Sequence, residues 1–135
     1  MKKLEWSEHF SVGVKLFDDQ HKELLSSVNK IISERDEMVS RITLADHFRE
    51  FNNLIHTHFN SEEELLDKLK YPDLRHHISE HREYFEKFSD MLMNAIWEKE
   101  KTVDELIHFI LEWWPSHVLN EDMKYKSFFK ENGIS

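Results

Sequence analysis

Four stretches of the chain repeat large apolar residues at alternating steps of three and four, and each of the four rows contains a histidine. The first row is Phe17, His21, Leu24, Val28 and Ile31, and the second is Leu44, Phe48, Phe51, Ile55, His58, Glu62, Leu65 and Leu69. The third is Leu74, His77, His81, Tyr84, Phe88, Met91 and Ala95, and the fourth is Val103, Leu106, Ile110, Trp113 and His117. Such steps keep one stripe of a helix on a common side, so each row reads as a buried seam, and four seams facing one another make a bundle. Only two glycines and two prolines punctuate 135 residues, and no long run alternates apolar with polar. The expected fold is therefore all-α, without repeats or low-complexity segments.

The seams carry a cost that the fold must offset. Burying a polar group without a partner costs roughly 2–7 kcal/mol, against a net stability of about 5–15 kcal/mol for a whole domain. Five seam histidines and Glu62 in one small core would exhaust that margin unless something binds them. His58 and Glu62, and likewise His77 and His81, are four residues apart, one turn up the same helix face, which makes two ready ligand pairs. His21, His117 and Asp122 complete a set that reads as a two-metal site. With no cysteine in the chain, only nitrogen and oxygen ligands are on offer, a set suited to iron, manganese or zinc. The other five histidines, His9, His47, His56, His76 and His108, fall off the seams and are expected at the surface or its boundary. Choosing His76 in place of His77 would turn the third helix by about 100° and break the run to Tyr84, Phe88 and Met91.

Local signals set the expected elements. An N-terminal arm over about residues 1–17, with Trp6, Phe10 and Val12, packs across the bundle. A first helix runs from Asp18 or Asp19 to about Glu37, with its acidic start at the positive end of the dipole. Thr43, with Asp46 three residues on, caps a second helix reaching Lys70. Tyr71-Pro72-Asp73 breaks it, and Asp73 caps a third helix reaching Glu98. Glu98–Thr102 is a polar turn before a fourth helix from Thr102 or Val103, and a helical tail past Asn120 ends at Asn132-Gly133. Together these make an up-down-up-down four-helix bundle with an N-terminal arm and a short C-terminal helical tail, one domain over residues 1–135.

Charge narrows the partners. Eighteen basic against 27 acidic residues give a net charge of -9, which disfavours nucleic acid and anionic membrane surfaces. The first residues hold no apolar stretch able to serve as a signal segment, so a cytoplasmic, monomeric protein is expected.

The motif His58-Phe59-x-x-Glu62-Glu63, the pair His77-x-x-x-His81, the run Trp113-x-x-x-His117-x-x-x-x-Asp122 and the opening Val12-Gly13-Val14 with Asp18-Asp19-Gln20-His21 resemble the hemerythrin family, in its single-domain bacteriohemerythrin form. The resemblance covers essentially the whole chain. It implies reversible dioxygen binding at a non-haem di-iron centre by an oxygen carrier, store or sensor and not an enzyme. The same ligands could serve a di-iron oxidase, a peroxidase or a nitric-oxide-handling enzyme. Carried over residue by residue, His77, His81 and His117 would ligate one iron and His21 and His58 the other. Glu62 and Asp122, with an oxo or hydroxo group, would bridge the two. Register on an ideal helix favours Glu121 over Asp122, because Glu121 lies about 40° and Asp122 about 140° around from His117. The resemblance favours Asp122, which requires a local wide turn or a helix end after His117. Glu63 is expected to be a solvated surface carboxylate. An apolar dioxygen pocket would draw on Leu24, Phe59, Trp113, Trp114 and Val118. Trp114 stands where the family usually carries a smaller aliphatic residue, and Pro115 should kink the fourth helix just before His117.

Overall fold

The computed structural model describes residues 2–97 and 101–135. Among the described residues five α-helices follow one another: α1 (Lys15–Asp36), α2 (Arg41–Lys68), α3 (Leu74–Trp97), α4 (Lys101–His117) and α5 (Met123–Glu131). A short 3-10 turn, Glu8–Phe10, lies in the arm, and a π-helical turn, Val118–Asp122, joins α4 to α5. Helices α1 to α4 pack pairwise in chain order and α4 closes back on α1. The links after α1 and α2 span only residues 37–40 and 69–73, which makes neighbours antiparallel. Among the described residues there is no strand, and no helix is long and apolar enough to cross a membrane.

The helix ends depart from expectation for identifiable reasons. α1 starts at Lys15, because Asp18 does not cap it but turns back, accepting from the Val12 N–H at 2.9 Å and the Ser11 hydroxyl at 2.6 Å. α2 starts at Arg41, capped by Ser40, whose Oγ accepts from the Thr43 N–H at 3.2 Å; Thr43 lies inside the helix. Three helices end in the same 6→1 hydrogen bond, with Val39, Tyr71 and Ile134 N–H groups reaching Glu34, Leu66 and Phe129 carbonyls at 3.1, 2.9 and 2.9 Å. The motif needs a left-handed residue, met by Gly133 (φ 74°) but also by Met38 (φ 59°) and Lys70 (φ 60°), where a side chain costs something. α3 ends at Trp97 and α4 begins at Lys101, so Lys101 and Thr102 are helical, whereas the expected turn at Glu98–Glu100 lies outside the described residues.

Burial follows the seams, although Leu69, Leu74 and Met91 are only half-buried, and it shifts by one residue at two places. Leu66, not Leu65, is fully buried in α2, and Trp114, not Trp113, is buried in α4. A strict heptad assumes 3.5 residues per turn, whereas a straight helix turns in 3.6 and drifts by about 20° per heptad. Over the long α2 that drift carries the inward position from 65 to 66. The fourth helix also runs through Pro115. Its widening appears three residues later, at Val118–Asp122.

The arm crosses the bundle as expected. Asn29 holds it by accepting from the Leu4 N–H at 3.0 Å and donating to the Leu4 carbonyl at 2.7 Å. This seats Phe10 against Trp114, with ring centroids 5.1 Å apart.

Candidate metal centre

Each of α1 to α4 brings its seam histidines to one level of the bundle. His21 comes from α1, His58 and Glu62 from α2, His77 and His81 from α3, His117 from the end of α4, and Asp122 from the π-helical turn. All seven are at most 3 % exposed. The other histidines stay out: His9, His56, His76 and His108 are exposed and His47 is half-buried.

Asp122 reaches the site because the backbone widens. An α-helix repeats at i+4, a π-helical turn at i+5, so the five residues Val118–Asp122 move the inward position by one residue. Asp122 Oδ1 then lies 3.1 Å from His117 Nε2. Glu121 is also buried, but it faces outward to His76 Nε2 at 3.2 Å and Lys124 Nζ at 3.1 Å.

The seven side chains form two groups that share both carboxylates: Glu62, His77, His81, His117 and Asp122 on one side, His21, His58, Glu62 and Asp122 on the other. Glu62 Oε1 faces the three-histidine side, 3.1 Å from His77 Nε2 and 3.4 Å from His81 Nε2. Its Oε2 faces the two-histidine side, 3.1 Å from His58 Nε2 and 3.9 Å from His21 Nε2. Asp122 divides the same way, Oδ1 lying 3.3 Å from His77 and Oδ2 3.4 Å from His21. Each carboxylate thus offers one oxygen to each half.

The donor set fits metal ions better than it fits itself. His58 Nδ1, His81 Nδ1 and His117 Nδ1 lie 2.6, 2.8 and 3.0 Å from Gln20 Oε1, Glu63 Oε2 and Glu80 Oε1. All three acceptors call for an N–H on Nδ1, which leaves Nε2 of a neutral ring as a lone pair pointing inward. There it meets other ring nitrogens: His21 Nε2 is 2.7 Å from His58 Nε2, and His81 Nε2 is 3.2 Å from His117 Nε2. Ligands at about 2.1 Å from an ion stand roughly 3 Å apart along an octahedral edge, close to these separations. Neither Asp122 oxygen receives a well-directed hydrogen bond, although histidine nitrogens surround both.

The electrostatics carry the same demand for positive charge. Burial would raise the Glu62 carboxyl, but His58, His77 and His81 hold it well below its usual range. Burial and Glu62 push Asp122 up, and His117 and His21 bring it down to about 2. Burial lowers His117, and Asp122, Glu80 and Glu62 overcome this and raise it to about 10. Burial, reinforced by His58, lowers His21. Two buried carboxylates remain ionised, so the core must hold protons or metal ions as counter-charge.

Four residues at the site escape a reading of the sequence. Glu63 is no solvated carboxylate; it accepts from His81 Nδ1 and is 26 % exposed. Gln20 and Glu80 do the same for His58 and His117, and the Tyr125 hydroxyl donates to Glu62 Oε2 at 2.6 Å. Of the five expected pocket residues, Trp114 lies edge-on to His21, with centroids 5.5 Å apart. Leu24 and Val118 are buried. Phe59 and Trp113 belong to the other side: Phe59 stacks on His81 at 3.5 Å and Trp113 on His117 at 4.5 Å, while Phe59 only approaches His58 at 6.1 Å.

Residues 12–129 match the Hemerythrin HHE cation binding domain family. A hemerythrin-like protein of Naegleria gruberi is 30% identical over 122 residues, covering 90% of this chain and 89% of its own length. A bacteriohemerythrin of Clostridium acetobutylicum is 25% identical over 130 residues, covering 89% of this chain and 96% of its own. A crystal structure of wild-type hemerythrin superposes with a TM-score of 0.80 at 23% identity, over 92% of this chain and 95% of that one. The chain belongs to the hemerythrin family.

Proposed function

We propose that this protein binds dioxygen reversibly at a pair of iron ions, without turnover, with His77, His81 and His117 holding one iron, His21 and His58 the other, and Glu62 and Asp122 bridging them. The observation that carries the assignment is the sharing of both carboxylates, one oxygen to each half, between five inward-facing Nε2 atoms. When bound, the iron pair supplies reversible two-electron chemistry toward dioxygen.

The chain's own residues do the rest. Gln20, Glu63 and Glu80 fix the ring orientation and tautomer of three histidines. The two-histidine half has one imidazole fewer and is where dioxygen is accommodated. Trp114, edge-on to His21, keeps water and protons from that half, and Leu24 and Val118, both buried, are the residues expected to line it with Trp114. Trp114, backed by Phe10, stands directly beside His21 and narrows access. Five histidines to two carboxylates, rather than a carboxylate-rich cage, suit carriage over oxidation. The working unit on this reading is a cytoplasmic monomer, which light scattering and cell fractionation check.

Anaerobic titration of the metal-free chain with ferrous iron tests the cage. Two irons per chain are expected, and Glu62→Ala or Asp122→Ala should weaken both binding steps. A stoichiometry of one, or unchanged binding in both variants, contradicts the assignment.

A further inference from the structure

The two halves of the cage differ in more than histidine count. Tyr125, on α5, donates its hydroxyl to Glu62 Oε2 at 2.6 Å, with both side chains fully buried. That oxygen is the one facing His58 and His21; Oε1, facing His77 and His81, receives nothing from Tyr125. The outer surroundings of four of the five histidines are divided in the same sense. His58 Nδ1 meets the neutral Gln20 amide oxygen at 2.6 Å, and His21 Nδ1 is buried without a partner. His81 and His117, on the other half, meet the carboxylates of Glu63 and Glu80.

These contacts act on electron density in a definite direction. A hydrogen bond donated to a carboxylate oxygen draws charge away from the metal it serves, and bonds to a charged group are the strong ones. A carboxylate accepting from an imidazole N–H makes the other nitrogen a better donor, and a neutral amide does so less. We propose that Tyr125 and Gln20 are positioning residues that keep the two-histidine half electron-poor relative to the three-histidine half, biasing it toward the ferrous state. The proposal rests on the reading that Glu62 bridges two irons.

Reduction potentials test it without recourse to dioxygen binding. In a mediator-equilibrated anaerobic titration of the two-iron protein, Tyr125→Phe should favour the first one-electron oxidation by about tenfold, which is about 59 mV downward. Gln20→Glu should shift the midpoint the same way, and Tyr125→3-fluorotyrosine, a stronger donor of nearly the same shape, should shift it upward. Cobalt(II) titration of metal-free Tyr125→Phe should show the weaker of the two steps tightened by a similar factor. A purely structural role for Tyr125 would lower the melting temperature while leaving every midpoint in place, and that result overturns the proposal. A parent protein that takes up fewer than two irons overturns the bridging reading beneath it instead.

Discussion

One end of the bundle core is built from Phe48, Phe51, Phe88, Leu106 and Ile110, the other from five histidines and two carboxylates, and both are almost completely closed to water. The first is self-sufficient. Phe48 and Phe51 meet Phe88 at centroid distances of 6.5 and 6.1 Å, and burial of apolar area stabilises this end without any counter-charge. The second is complete only with counter-charge, because lone pairs and ionised carboxylates face one another across roughly 3 Å. The same seam register thus yields a packed half that holds the helices in place and a frustrated half that the first half keeps assembled. Pre-organising a metal cage costs stability, and here the cost is met elsewhere in the same four helices.

The sharpest way to separate the halves is to damage each in turn. Phe88→Ala should cost about 3–5 kcal/mol by chemical denaturation, with and without metal. Metal should still add about 4 kcal/mol to that variant at a thousandfold excess over Kd. Glu62→Ala should leave the apolar half intact and lose most of the metal-induced gain. If Phe88→Ala also abolished that gain, the halves would not be separable.

A smaller effect follows from protons standing in for metal. His117 rises to about 10 in the fold from an unfolded value of 6.5. Its contribution is fully present below pH 6.5 and fades as pH climbs through 10. Metal-free protein should therefore lose stability on the order of 2 kcal/mol between about pH 7 and 9, while the metal-loaded protein, with a neutral ligating imidazole, should not. An equal dependence of stability on pH in the two forms would show that His117 does not carry the counter-charge.

The smallest expected effect is kinetic. Trp114→Leu should speed dioxygen binding and autoxidation severalfold in stopped-flow measurements, with little change in iron content. Equal rates would sink the idea that Trp114 narrows access to the two-histidine half.

The bundle and six of the seven cage residues are legible in the seams, because a histidine or glutamate at a heptad position is buried at a cost that a bound ion offsets. Asp122 is not legible from register, since a π-helical turn moves the inward position by one residue and no periodicity announces it. The outer partners are hidden for a tertiary reason. Gln20 neighbours His21 but serves His58 on α2; Glu63 neighbours Glu62 but serves His81 on α3; Glu80 neighbours His81 but serves His117 on α4. Each sits one position, about 100°, around from a seam residue. A surface position by periodicity becomes a reach across the groove to the next helix. Tyr125 follows Asp122 by three, one turn on, so it points inward only once the π-helical turn is in place. Leu66 is displaced by one residue because a straight helix as long as α2 turns in 3.6 rather than 3.5; the shift to Trp114 in the short α4 is too large for that drift and has no comparable periodic cause.

Dioxygen titration of the two-iron ferrous protein tests the central claim most directly. One dioxygen should bind per iron pair with a new visible absorption that vanishes on deoxygenation, and ferrous iron should be recovered in full through repeated cycles. Irreversible oxidation of both irons on the first exposure, with the absorption lost and no dioxygen returned, would contradict a carrier.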